Sequence, residues 1–385
     1  MNKAFRYRIY PTAEQTALLA QTFGCVRKVY NELLALQNAN YETGEKHMSR
    51  TAMNNYCNQT LKDMYPYLRK VDKFALTNSV YHLADAFDRF FGKKAGYPNF
   101  KSKHKSRCSY TTNITNNNIR IEDKYVVLPK LGKVKIKLHR TAPSGYKLKS
   151  ATVSMTPTHK YYVSLLYEYE SQVPHVTVVK ALGLDYSSPH LYIDSEGREP
   201  DFEKPFRKYE EKLAKEQHIL SKMKESNKGR KLSECKNYQK QKLKVAKIHE
   251  KIANCRKDFL HKLSFELAEN YDLVGVEDLN LKAMSQCLTL GKSTMDNSYG
   301  MFLNFLEYKL NDRGKYLIKV DKWYPSTKTC SCCGNTKPMS LSDREYVCPE
   351  CGAVMPRDHN AAINICSEVI RTAGQAGIAC LCSAR

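Results

Sequence analysis

At 385 residues the chain is too long for one small core and points to roughly two to four domains, with 42% hydrophobic content to fold them. Its formal net charge of +23, from 62 Lys and Arg against 39 Asp and Glu, makes a compact fold self-repelling unless a polyanion neutralises it. The 26 tyrosines among those cations suit stacking on bases, so nucleic acid is the expected partner and a membrane is not: no stretch of about 18 apolar residues occurs.

The first residues, KAFRYRIY (3–10), alternate and stop at Pro11, which reads as a strand rather than a signal peptide. Thr12 and Gln15 then form a capping-box pattern opening a helix through about Leu36, with Leu18, Leu19, Val26, Tyr30 and Leu33 on one face. Helical texture continues to about Gly92, and the basic, turn-rich GYPNFKSKHKSRCSY (96–110) reads as a linker touching nucleic acid. From about 111 to 170 the period becomes two, as in KVKIKLH and YYVSLLYEYE. A small β-barrel shared with the first strand is expected there, with the helical block between its parts.

At 176–184, VTVVKALGL is an apolar strand ending in Asp185, and LYIDSEG follows as a hairpin strand and turn. Residues 203–262 hold 19 Lys and Arg against 8 Asp and Glu, with Val245, Ile248, Ile252, Cys255, Phe259 and Leu263 at helical spacing. A helix with one apolar stripe and a cationic face is expected, suited to a phosphate backbone. YDLVGVEDLN is a second apolar strand ending in an acid, Glu277, and KYLIKV (315–320) a third strand.

Two Cys-x-x-Cys pairs follow, Cys330 with Cys333 and Cys348 with Cys351, separated by residues 334–347. Each pair precedes a glycine, Gly334 or Gly352, that lets the backbone turn towards the thiolates. This spacing predicts a structural four-cysteine Zn²⁺ ribbon with no position open for substrate; Cys332 has the wrong spacing to take part. The chain holds 14 cysteines, and those outside the ribbon are mostly scattered singly, which reads as a reducing cytosol.

Immediately beyond the ribbon, Asp358 stands at a helix start in RDHNAAINI. Strand-end Asp185, strand-end Glu277 and helix-start Asp358 occur in the order expected of a ribonuclease H-like α/β fold. There, three such acids hold two Mg²⁺ ions about 4 Å apart, one activating water and one stabilising the leaving 3′-oxygen. Crowded carboxylates are costly without cations, which is the reason to read them together. Asp194, Asp278 and Asp343 are read as turn or surface acids, and His359 as a packing or hydrogen-bonding residue. No Walker loop is present, which excludes an ATP-driven enzyme of that type.

FRYRIYPTAEQ, GCVRKVYNELL, VDKFALTNS, GYPNFKSK, TNNNI, KDFLHKLS, GVEDLN and YPSTKTCSCCG through RDHNAAINI resemble the TnpB family over nearly the whole chain. TnpB proteins are transposon-encoded, RNA-guided DNA endonucleases related to type V CRISPR effectors. The resemblance implies a multidomain α+β and α/β protein. Residues 1–11 and 111–172 would form a wedge β-barrel, and 12–110 a helical recognition domain with basic linker. A RuvC nuclease domain would span 173–325 and 353–370, with the zinc ribbon, a target-nucleic-acid-binding insert, at 326–352 and a tail at 371–385.

The implied activity is cleavage of double-stranded DNA beside a short flanking motif, in one RuvC site built from Asp185, Glu277 and Asp358, with Mn²⁺ able to replace Mg²⁺. The implied partners are a guide RNA from the transposon end and duplex DNA, in a prokaryotic, nucleoid-associated cytoplasmic protein acting as a monomer on its RNA. Lys73, Thr77 and Asn78 in VDKFALTNS, with Thr115 and Asn116 in TNNN, match the motif-reading positions. One departure follows Asp185, where Ser187 stands in place of a glycine. The competing readings are a compact type V effector using a crRNA, a nuclease-inactive RNA-guided repressor, which the intact acids oppose, and a transposase, for which no His-hydrophobe-His motif is present.

Overall fold

The computed structural model describes residues 1–103, 105–170, 173–287, 296–340 and 342–382. They fall into two units, Met1–Ser171 and Gln172–Arg385. Position 104 of the expected linker and 383–385 of the expected tail lie outside the described residues.

In the first unit, β1 (Asn2–Tyr10) turns Phe5, Tyr7 and Ile9 inward by strict alternation. It pairs antiparallel with β7 (Tyr161–Glu168) on one side and β5 (Gly132–Lys137) on the other. With β2 (Cys108–Asn113), β3 (Arg120–Glu122), β4 (Tyr125–Leu128) and β6 (Lys147–Met155) they make a seven-stranded antiparallel sheet, ordered β2-β6-β7-β1-β5-β4-β3. The N-terminal strand is therefore shared with the later β module, as its alternation implied. The expected barrel is not closed by a ladder: among the described residues, edge strands β2 and β3 do not pair. The β module begins at Cys108, three residues before the expected 111, because Cys108–Tyr110 already pair with Met155–Val153.

The helices α1 (Ala13–Glu42), α2 (Arg50–Tyr56) and α3 (Lys73–Phe91) lie in the chain between β1 and β2. Both arms of the capping box form at the start of α1: Gln15 N–H donates to Thr12 Oγ1 at 3.3 Å, and Thr12 N–H to Gln15 Oε1 at 3.0 Å. Leu19, Phe23 and Val26 of α1 join the sheet core. Val29, Leu33 and Leu34 face a second core with Met53 of α2 and Leu76, Val80 and Leu83 of α3.

In the second unit, β8 (Ala181–Ser187) and β10 (Leu273–Glu277) pair in parallel, β10 pairs in parallel with β11 (Tyr316–Val320), and β9 (Leu191–Asp194) folds back antiparallel on β8. The sheet order is β11-β10-β8-β9. The central parallel strands are covered on both faces, which is why they read as unbroken apolar runs. Between β9 and β10 the chain forms α4 (Pro205–Ser226) and α5 (Lys236–Asn270).

At 35 residues, α5 runs about 52 Å, too far for one stripe to face one partner. Val245, Ile248 and Ile252 pack on Leu213 of α4, whereas Phe259 and Leu263, with buried Leu260 and Leu267, join the sheet core. Cys255, expected on the stripe, falls at the changeover and is exposed. Next come α6 (Tyr299–Asn311), β11 and a two-stranded ribbon of β12 (Glu345–Val347) and β13 (Val354–Pro356). The last helix, α7 (Arg357–Gln375), starts where β13 stops.

Two glycines set how α7 meets the sheet. Gly183 in β8 and Gly275 in β10 are cross-strand partners. A Cβ on Gly183 would stand 2.1 Å from Ala362 O, and one on Gly275 2.7 Å from both Val369 methyls. Bare backbone at these two places lets the helix lie directly on the strands.

Candidate active site and metal centre

The parallel register of β8 and β10 runs from Leu273 opposite Ala181 to Val276 opposite Leu184. One further step sets Glu277 alongside Asp185 at the same carboxyl end of the sheet, where ligands gather in open α/β folds. Glu277 closes β10, but Asp185 does not close its strand: β8 runs from Ala181 to Ser187 rather than over 176–184, because Tyr186 and Ser187 still pair with Tyr192 and Leu191 of β9. Asp185 is buried at 6% exposure. Asp358, second residue of α7, is brought to the same end by the packing of that helix over Gly183.

Asp185 and Glu277 feel the charge of the acids beside them. Burial pushes Asp185 well above the ordinary carboxylate range, the charges of Glu277 and Asp358 push it further, and Arg357 opposes them. Glu277 is likewise raised, by burial first and by Asp358, against a hydrogen bond from Ser326. Carboxyl groups crowded in this way are hard oxygen donors that a divalent cation could hold together. They do not converge as closely as the cysteines do, and other partners hold two of them. Arg357 lies 2.7 Å from Asp358 Oδ1, and Ser326 Oγ donates to Glu277 Oε1 at 2.8 Å.

Ser326 and two asparagines tie the acids to the following segment and had not been singled out from the sequence. Asn364 Nδ2 donates to Ser326 O at 2.8 Å and Thr329 O at 2.7 Å. Asn360 Nδ2 donates to Thr329 O at 2.7 Å, while its Oδ1 accepts the Ser331 N–H at 3.0 Å. The signal was a pair of asparagines one helical turn apart, on a helix interior that disfavours them unless their side chains have work to do. Tyr299 was also missed. It is 1% exposed, and its hydroxyl has no hydrogen-bond partner among the described residues. Burial, then the charges of Asp185 and Glu277, keep it protonated.

The four cysteines assemble as their spacing predicted. Among the described residues, Cys330, Cys333, Cys348 and Cys351 are the group whose ligand atoms all lie within 4.8 Å of one another. Gly334 and Gly352 adopt φ of 76° and 71°, and their N–H groups donate to Cys330 O and Cys348 O to close the two turns. The backbone N–H of Cys351, aided by that of Glu350 and opposed by burial, draws the Cys348 thiol down to about 6. Four converging sulfurs with amide support fit a structural zinc. Cys332 is exposed and outside the group.

Of the two readings of Asp194, turn or surface acid, the structure favours the turn: it is 3% exposed, and its carboxylate accepts from Glu196 N–H, Arg198 N–H and Arg198 Nε, so it builds the turn after β9. Ser187 ends β8 in extended backbone, with Leu191 rather than Ser187 taking the left-handed φ, at 79°. The hairpin thus needs no glycine at position 187. His359 bonds Ser195 O at 3.3 Å, as a hydrogen-bonding residue. A cleft of about 1180 Å³ lined by Arg198, Lys262, Cys332 and Cys366 contains none of the three acids.

In the first unit, Lys73 and Thr115 line one cleft of about 430 Å³ with Arg69, Phe74 and Lys130. Asn116 sits beside it in the chain with φ of 49°. Thr77 is half-buried on α3. Asn78 is committed to the fold: its Nδ2 donates to Phe74 O and Thr111 O at 2.9 Å and lies 3.3 Å from Asn113 Oδ1. That leaves only its oxygen for any partner.

Comparison with known proteins follows the same outline. Three family models match: "Helix-turn-helix domain" of the OrfB IS605 type over residues 1–46, "Probable transposase" over 164–288 and "Cas12f1-like, TNB domain" over 299–365. A protein of Streptomyces pristinaespiralis provisionally named an RNA-guided DNA endonuclease is 33% identical across 99% of this chain and 91% of its own length. The chain belongs to the TnpB family. InsQ of Escherichia coli (strain K12), under the same provisional name, is 30% identical across 98% of this chain and 94% of its own. The fold is shared beyond recognisable sequence similarity. The Cas12f1 protein in a complex with sgRNA and target DNA aligns over 95% of this chain and 98% of its own at a TM-score of 0.59, with 14% identity. Among the described residues no helix is long and apolar enough to cross a membrane.

Proposed function

We propose that the chain is an RNA-guided endonuclease that cuts double-stranded DNA beside a short flanking motif, in one site made by Asp185, Glu277 and Asp358. The observation that carries this reading is the gathering of three acids at one end of a parallel sheet, two of them raised by burial and by their neighbours' charges, in a chain whose full-length relatives carry an endonuclease name. On this reading the second unit is a ribonuclease H-like, RuvC-type domain over 173–325 and 353–370, with 326–352 as its zinc ribbon insert. The seven-stranded sheet, 1–11 with 111–172, is the wedge, 12–110 is the recognition domain and 371–385 a tail.

Asp185, Glu277 and Asp358 offer the hard oxygen donors that suit Mg²⁺ or Mn²⁺. When bound, such ions acidify water and neutralise charge on a departing 3′-oxygen. The chain's own task is to hold the carboxylates in register. Ser326 fixes one Glu277 oxygen, the Asn360 and Asn364 amides fasten α7 to residues 326–331, and burial keeps Asp185 from turning to solvent. The zinc ribbon ends where α7 begins, so its order is transmitted to Asp358 through β13.

For recognition, Lys73 and Thr115 share a cleft with further cations, a setting in which an ammonium can donate to base-edge acceptors and phosphates. Thr77 and Asn116 would contribute at its margin, and Asn78 only through its oxygen. Guide pairing would read the remaining sequence, through an RNA held by the cationic surface. The test is direct. RNA that co-purifies with the protein is sequenced, and its guide segment is matched to a duplex carrying a randomised flank. Cleavage of matched duplexes with one enriched flank is expected; absence of a discrete RNA would overturn the proposal.

A further inference from the structure

The loop after β11 displays Trp323, the single tryptophan of the chain, at 81% exposure. The loop is not slack. Trp323 N–H donates to the Asp321 carboxylate at 2.8 Å, and Tyr324 N–H to Asp321 O at 3.0 Å. Tyr324 OH donates to Asn364 O at 3.2 Å on α7. Ser326, three residues on, is bonded to both Asn364 and Glu277. The backbone before the ring is thus tied within its own turn and the backbone after it to α7 and Glu277, while the ring itself is left in water.

Three residues of chain reach at most about 11 Å, so Trp323 stands close to the Glu277 end of the sheet. Lys322 Nζ lies 4.9 Å from the indole centroid and brings a positive charge alongside. An apolar ring held rigidly in solvent, with a cation beside it and a carboxylate cluster nearby, matches what a nucleotide needs: a flat face for the base and charge for the phosphate.

We propose that Trp323 is a stacking platform for an unpaired base of the DNA strand entering the acid site, so that it helps to position the scissile phosphate there. Inside a duplex both faces of a base are covered by neighbours, so a free indole face accepts a base in a single-stranded segment or at a duplex end, and not one within a helix. The proposal rests on the assignment of Asp185, Glu277 and Asp358 as the cleavage site and adds a residue that positions the strand there.

A single tryptophan makes the test specific, because all indole fluorescence comes from this ring. The full-length protein bound to its co-purified RNA is titrated in EDTA with a short single-stranded thymidine oligonucleotide, and in parallel with an abasic oligonucleotide of equal length and charge. Quenching by the first and not the second is expected. Trp323→Ala should weaken binding of the thymidine strand by roughly 5- to 100-fold. It should also slow duplex cleavage, with Trp323→Phe recovering most of both. Equal response to the two oligonucleotides, quenching already complete with RNA alone, or unchanged binding by Trp323→Ala would overturn the platform. Because this readout needs no cleavage, it separates from the reading it rests on. A quenched indole in a protein whose Asp185→Ala variant still cuts would refute the acid assignment and leave the stacking intact. Essential acids with a silent indole would refute the stacking alone.

Discussion

Replacing Gly183 by alanine should disable cutting while sparing RNA and DNA binding. The added Cβ would meet Ala362 O at 2.1 Å and Cys366 N at 2.5 Å, whereas ordinary contact begins at 3.4 Å. The shortfall of about 1.3 Å falls on helix backbone rather than on a flexible side-chain tip, so α7 itself must shift by about an ångström. Asp358 lies one turn before Ala362 and moves with it. A misplacement of about 1 Å at a reacting centre can cost about 100-fold in rate, and overpacking about 1–3 kcal/mol in stability. Gly275→Ala should be milder, since it meets Val369 methyls at 2.7 Å. Gly24→Ala, in α1 with nothing within 4 Å of the new Cβ, should leave cutting intact and stabilise by about 1 kcal/mol. Cleavage rate, target binding and melting temperature are measured on the same preparations. Wild-type cutting by Gly183→Ala, with an unshifted melt, would refute the packing argument.

Zinc removal or Cys348→Ser should unfold the segment 330–351, since coordination supplies most of a small ribbon's folding energy. Cleavage should fall with zinc content, and fully active protein without zinc would contradict this. Lys73→Ala and Thr77→Ala should change the enriched flanking motif more than RNA affinity, whereas Asn78→Ala should lower the melting temperature through its lost bonds to Phe74 O and Thr111 O; an unaltered motif profile for the first two would count against that cleft. A raised folded pKa means that the folded chain holds the Asp185 proton more tightly than the unfolded chain does. The stability this gives is full below the ordinary carboxylate range and is lost as pH rises through the raised value. In EDTA, Asp185→Asn should therefore raise the melting temperature at neutral pH and flatten its pH dependence, and added Mg²⁺ should narrow the gap; a profile parallel to that of the wild type would refute the crowding.

Much of this site was legible in the sequence because strong local signals coincide with it. Asp185 and Glu277 each end an apolar run, and parallel strands buried on both faces must read that way. The Cys-x-x-Cys-Gly spacing encodes the sulfur cluster without help from distant residues. What stayed hidden depends on partners far along the chain. Nothing near Gly183 announces that α7 will lie on it, and nothing near Asp194 announces that its own turn will bury it. Cys255 keeps perfect helical spacing yet is exposed, because α5 changes partners at that point. Strand periodicity showed that the first strand belongs with the later β module, but not how many strands the sheet has or whether it closes, which no local pattern records. The side chain of Asn78 was equally readable as a base reader, until Thr111 of β2 was found opposite it.

The most direct test of the central claim is cleavage of a guide-matched duplex by Asp185→Ala, Glu277→Ala and Asp358→Ala, with target binding measured on the same samples. Asp278→Ala and Asp343→Ala serve as controls; Asp278 pairs with Lys319 on the exposed surface, and Asp343 caps a turn at Ser340. Each of the three acid variants should lose cutting of both strands, as should wild-type protein in EDTA, while Mn²⁺ restores the wild type and binding persists throughout. Full cleavage by Glu277→Ala would contradict the account, because it would place the chemistry somewhere other than the end of this sheet.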